Sequence, residues 1–122
     1  MATPVVSGIV FSAKTADFTS NGISVEAYSQ ISFHFLAESI SSGNGVFSIE
    51  GSNDGTNWIT GLAFQDATAT ASATWVASKT LSSNTSAGGY LPTCGFKMLR
   101  VKLDMTTDGS YSCFINARLS QN

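Results

Sequence analysis

The sequence predicts an all-β domain of about eight short antiparallel strands, stacked as a sandwich or closed as a barrel. Two observations carry that prediction. β-Branched and aromatic residues recur at every second position along much of the chain, and no window holds a sustained stripe at three-and-four spacing. Turn pairs such as Asn21-Gly22 and Asp108-Gly109 fall between the alternating runs. With 122 residues, the chain is expected to form one domain over 1–122, removing roughly two thirds of its unfolded surface from water. Residues 1–7 are expected as an extended N-terminal arm.

Val5 to Phe11 is the first expected strand, followed by a polar break around Lys14 to Asn21 and a further strand beginning near Ile23. From Tyr28 to Leu36, Ile31, Phe33 and Phe35 fall on one face and Ser32 and His34 on the other, as a half-buried strand requires. After the Gly-rich break at 41–45 come Val46 to Gly51, a tight segment from Ser52 to Asn57, and Trp58 to Phe64, together expected as a hairpin. Ala, Thr and Ser dominate from Asp66 to Gly89. There one strand is expected near Thr70 to Ala77, at a sheet edge, and then a loop through Ser82 to Gly89.

The last third alternates most regularly. Leu99, Val101 and Leu103 share one face of a strand from Phe96 to Met105, with Arg100, Lys102 and Asp104 on the other. The turn at 106–109 leads to Ser110 to Leu119, which places Tyr111, Cys113, Ile115 and Ala117 inward. These two strands are expected to pair as an antiparallel hairpin with one apolar and one polar face.

Charged residues make up only 11% of the chain, against roughly 25% in ordinary soluble domains. Such a surface raises little electrostatic barrier to packing many copies side by side, which suits an assembly component. A net charge of -2 with six basic residues disfavours nucleic acid as a partner, because that affinity comes from Lys and Arg releasing counterions. No secretion signal or membrane anchor is read from the sequence, so no membrane partner is expected. Cys94 and Cys113 are expected as small buried thiols, with a single bridge as the other reading.

No phosphate loop, nucleophile elbow or Cys-x-x-Cys pair is present, and His34 is the sole histidine. The carboxylates are scattered without local pairing. The expectation is therefore a binding or structural module, not an enzyme, without catalytic residues, metal or cofactor. Five residues remain as binding candidates. The oxygens of Asn53, Asp54 and Asn57 could gather around a hard cation, but the plainer reading is a turn whose side chains bond their own backbone. Trp58 and Trp75 could stack a sugar. Packing over the end of the fold is favoured for Trp58, and an exposed contact for Trp75.

The segment from Val46 to Trp58, with Gly51-Ser52-Asn53-Asp54-Gly55-Thr56-Asn57-Trp58 at its end, resembles a phrase found in two groups. One is the discoidin or coagulation-factor C-type sandwich, whose domains are longer and whose cysteines lie near the termini, unlike Cys94 and Cys113. The other, a better match, is a group of small jelly-roll virion proteins of tailed phages. There a strand similar to Leu99-Arg100-Val101-Lys102 and a closing turn similar to Asp108-Gly109-Ser110-Tyr111 follow in the same order. The resemblance runs from about Ile31 to Ala117.

What it implies is a jelly-roll β-sandwich working as a capsid decoration or cement protein, a homo-oligomer on the outer face of the lattice built by the major capsid protein. Such a protein is made in the host cytoplasm and resides on the virion. The alternatives are a carbohydrate-binding or host-adhesion module, with Trp58 or Trp75 stacking a glycan beside Asn53, Asp54 and Asn57, and a tail or neck component.

Overall fold

The computed structural model describes residues 5–26, 28–66, 74–92 and 94–118, with the backbone alone at 5–7. Among these residues eleven strands form two antiparallel sheets. They are β1 (Val5–Lys14), β2 (Phe18–Thr19), β3 (Ile23–Ser24), β4 (Gln30–Glu38), β5 (Asn44–Ser52), β6 (Phe64–Asp66), β7 (Trp75–Val76), β8 (Lys79–Leu81), β9 (Thr85–Leu91), β10 (Met98–Thr106) and β11 (Ser110–Arg118). One sheet runs β1-β11-β4-β9-β6-β7 and the other β2-β10-β5-β8, with β3 also on β10. The protein is an all-β sandwich.

Eight of the elements make a jelly roll when β2 and β3 are counted as one. β1 pairs with β11, β2 and β3 with β10, β4 with β9, and β5 with β8. These are the rungs of one long antiparallel ribbon. Rolling that ribbon up adds the pairings β11·β4 and β10·β5 and closes the two layers. The count rises above eight because a polar gap splits β2 from β3 and because β6 and β7 extend one sheet beyond β9.

Alternation placed the core correctly. Ile31, Phe33 and Phe35 of β4, Leu99, Val101 and Leu103 of β10, and Tyr111, Cys113, Ile115 and Ala117 of β11 are all buried. Phe35 in one sheet stacks on Phe47 in the other at 4.7 Å between ring centres, and Phe64 meets Phe35 edge-on at 5.9 Å. Each such side chain taken out of water contributes about 1.5–3 kcal/mol, so this aromatic seam ties the layers together alongside the buried aliphatic residues of both sheets. Cys113 lies in the same core, where burial pushes its thiol pKa far up; Cys94 is only half-buried, and the two remain free thiols.

Four expectations need correction. The arm expected over 1–7 is strand from Val5 onward, its backbone paired with Arg118, Ala117 and Asn116; residues 1–4 fall outside the described set. The hairpin expected over Val46 to Phe64 closes only at the Gly51–Ile59 bridge and the Leu62 N–H to Ile49 carbonyl bond. Beyond that, β8 takes the free side of β5 at Gly45, Val46 and Phe47, and Phe64 crosses into the other sheet to bury its ring.

The Ser82 to Gly89 run, expected as a loop in an edge region, instead supplies most of β9, an interior strand between β4 and β6. Its small residues are what let it lie there. A Cβ on Gly89 would sit 2.9 Å from the Phe64 ring and 3.1 Å from that of Phe35, so the glycine makes room for two aromatic rings. The strand expected near Thr70 to Ala77 is seen as Trp75–Val76, at the edge as expected, with 67–73 outside the described residues.

The last two strands, finally, lie in different sheets instead of pairing as a hairpin. Their apolar faces meet across the sandwich. Asp108 in the crossover accepts N–H bonds from Ser41, Ser42 and Gly43 through one oxygen, tying it to the β4–β5 crossover at the same end of the molecule. The buried Tyr111 hydroxyl donates to the Asp108 carbonyl at 2.8 Å, and burial, then the Asp108 charge, raise its pKa.

Candidate functional site

Four of the five sequence-derived candidates come together. Asn53, Asp54, Asn57 and Trp58 line an open depression of about 450 Å³ with Ser52, Ile59 and Phe96. β5 ends at Ser52, and the chain reverses through Gly55 at φ 75°, a left-handed conformation that a side chain resists.

The loop bonds mostly to itself. One Asp54 oxygen accepts from the N–H groups of Thr56 (2.8 Å) and Asn57 (2.7 Å) and from the Ser52 hydroxyl (3.0 Å). The other accepts from the Asn57 side-chain amide at 2.8 Å. These bonds, those from Asn57 foremost, hold the carboxyl well below the usual carboxylate range. The Asn53 side-chain oxygen takes the Lys97 N–H at 3.0 Å, which fastens the loop to the lead-in of β10. A cation at Asp54 would have to displace four donors. The turn reading therefore accounts for Asp54 and Asn57, which sequence proximity brings together for local bonding, while Asn53 anchors the loop to a distant segment.

Trp58 packs as a lid on the outer side of the second sheet. Its ring lies 4.2 Å from the Arg100 guanidinium, and Arg100 Nε donates to Glu50 Oε1 at 2.6 Å across the β5–β10 ladder. The Glu50 side chain is 5% exposed, so the indole, the guanidinium and the carboxylate form one stack over the sheet. Sequence reasoning missed Glu50, Arg100 and Phe96. Arg100 and Glu50 each carried a signal, as charges at alternate outward positions of strands that pair, but their register was not legible.

Trp75 does not join this group. It sits on β7, at the edge of the other sheet, with 54% of its surface exposed. Its neighbours are outward residues of the six-stranded sheet, where a second, smaller depression of about 200 Å³ is lined by Gln30, Ser32, Tyr90, Asn116 and Arg118. None of those five was singled out from the sequence, because they come from three strands far apart in the chain. His34 lies on the same outer face, beside Phe114 at 5.6 Å between ring centres.

Neither a family model nor a curated protein matches the chain. Among solved structures the fold is similar to that of the SPBc2 prophage-derived protein YomS, with a TM-score of 0.72 at 13% identity over 96% of each chain. The Bacillus endospore appendages, disulfide-linked pili, align at 12% identity over 98% of this chain and 93% of that one, with a TM-score of 0.46. The Yersinia pseudotuberculosis-derived mitogen aligns at 8% identity over 99% and 88%, with a TM-score of 0.32. The YomS likeness is one of fold, end to end; the other two are too remote to carry weight.

Proposed function

We propose that this chain is a structural protein of a phage virion, a decoration or cement subunit seated on the outer face of the lattice of a major capsid protein. The observation that carries this reading is the end-to-end likeness of fold to a prophage-derived protein. The surface chemistry supports it. With 11% charged residues and a net charge of -2, copies of the chain approach one another and a large lattice at little electrostatic cost.

Strand edges add to that support. A sheet edge offers unpaired N–H and C=O groups to another chain, and proteins blunt it with short strands, charges or bulges. Among the described residues, three of the edge positions are held by strands of two or three residues: β7, β8, and β2 with β3. β1, the other edge, is ten residues long, carries no charge before Lys14, and has register shifts only beyond Ile9. Ile9 is 65% exposed. In this reading the β1 edge joins neighbouring copies, the loops meet the major capsid protein, and the subunit stabilises the assembled shell by mass action without chemistry.

Purified particles test it. Mass spectrometry should find the chain in amounts that scale with the capsid protein, and cryo-imaging should place it outside the shell; absence from particles would refute the proposal. Ile9→Lys should abolish self-association in analytical ultracentrifugation while the melting temperature stays near that of the parent.

A further inference from the structure

We propose that the outward face of the six-stranded sheet binds a neutral oligosaccharide, lying across the strands along Trp75, Gln65, Tyr90, Ser32 and Asn116. Strand register alone builds that row. Trp75 pairs with Gln65, Gln65 with Tyr90, Tyr90 with Ser32, and Ser32 with Asn116, one residue from each of β7, β6, β9, β4 and β11. Their sequence neighbours Phe64, Leu91, Ile31, Phe33, Ile115 and Ala117 are buried in the core, so side-chain alternation turns the row outward.

The chemistry of the row is that of a sugar site. It holds two aromatic rings, an amide at Gln65, another at Asn116 and a hydroxyl at Ser32, and no charge. Aromatic faces stack on the C–H faces of a pyranose, and side-chain amides both donate to and accept from its vicinal hydroxyls. Two strand spacings of about 4.8 Å separate the β7 and β9 positions, which sets the rings about 10 Å apart with the Gln65 amide between them. Next to Tyr90 the depression lined by Gln30, Ser32, Tyr90, Asn116 and Arg118 continues the same surface, adding a third amide and one guanidinium at its rim.

Availability of the polar atoms is the second observation. Among the described residues, the side chains of Gln30, Gln65, Tyr90, Asn116 and Arg118 make no hydrogen bond or ion pair to one another or to the rest of the chain, and the Ser32 hydroxyl makes one long contact of 3.5 Å to the Asn116 carbonyl. A protein interface would favour an apolar centre, which this floor lacks. A nucleic acid would need more than the one basic residue here. Saccharide binding at this face stands apart from the virion reading and holds whether or not the chain resides on a capsid.

A printed array of defined oligosaccharides, probed with the labelled full-length chain, tests it, followed by calorimetric titration of the strongest ligand. Neutral oligosaccharides should be retained, and Tyr90→Ala and Trp75→Ala should each weaken binding about ten-fold, the scale of one lost ring stack. Asn116→Asp, which keeps the side-chain shape, should weaken it as well, and Trp58→Phe on the other sheet should leave it unchanged. Thermal melts of each variant confirm folding. An array without saccharide binding overturns the inference, as does binding restricted to acidic sugars, parental affinity in Tyr90→Ala and Asn116→Asp, or a loss that follows Trp58 instead.

Discussion

The loop at 52–58 and the outer face of the six-stranded sheet are both polar, both carry a tryptophan, and behave in opposite ways. In the loop, Asn53, Asp54 and Asn57 are close in sequence and direct their polar atoms at their own backbone and at Lys97. On the sheet, Gln30, Tyr90, Asn116 and Arg118 come from three strands far apart in the chain, meet around one depression, and have no such internal partners among the described residues. A cluster of Asx residues along the chain marks a turn, because short side chains reach nearby N–H groups before anything else. The proposed saccharide face is assembled across strands and leaves its donors and acceptors pointing at water.

That contrast makes graded predictions. The largest effect is expected at the stack that holds Trp58 down. Arg100→Ala leaves the buried Glu50 carboxylate without its partner and strips the indole of its cation, so chemical denaturation should show a loss of about 3 kcal/mol, with Trp58 fluorescence shifted to the red. An unchanged denaturation midpoint would mean that the stack is ornamental. Gly55→Val should come next, at about 1–2 kcal/mol by thermal melting, because φ 75° forces a β-branched residue into the left-handed region, with Met98 Sδ 3.3 Å from the new Cβ.

Asp54 gives a smaller, pH-dependent effect. Its folded pKa lies below the unfolded value of about 3.9. The carboxylate therefore stabilises the fold fully above that unfolded value, and the contribution fades as pH falls through it toward the folded pKa. Between pH 5 and 2 the melting temperature of the parent should fall more steeply than that of Asp54→Asn; parallel curves would show that the loop does not depend on the charge. The smallest effect belongs to the sheet face. Tyr90→Ala should change stability by no more than about 1 kcal/mol, since it breaks no internal hydrogen bond, and a severe loss would show that the face is structural like the loop.

Several features were legible before the fold was known. Period-two alternation identified Ile31, Phe33 and Phe35, and the inward residues of β10 and β11, as core, because a pleated strand gives its side chains no other choice of face. The turn at 52–57 was legible because Asn and Asp bond locally. The sequence suggests a hairpin of β10 and β11 because two strands with apolar faces look the same in sequence whether they lie side by side or face each other across a core.

Local chemistry thus determined the all-β class, the apolar face of the best-patterned strands and the character of the 52–57 turn. Tertiary structure alone decided which sheet each strand joins, that Gly89 of β9 lies beneath Phe35 and Phe64, and that residues from β4, β9 and β11 share one outer depression. The physical reason is range. Alternation and turn bonding act over a few residues, while sheet membership and the outer face depend on backbone pairings between segments tens of residues apart, whose register a sequence of weakly distinctive Ser, Thr, Ala and Gly does not spell out.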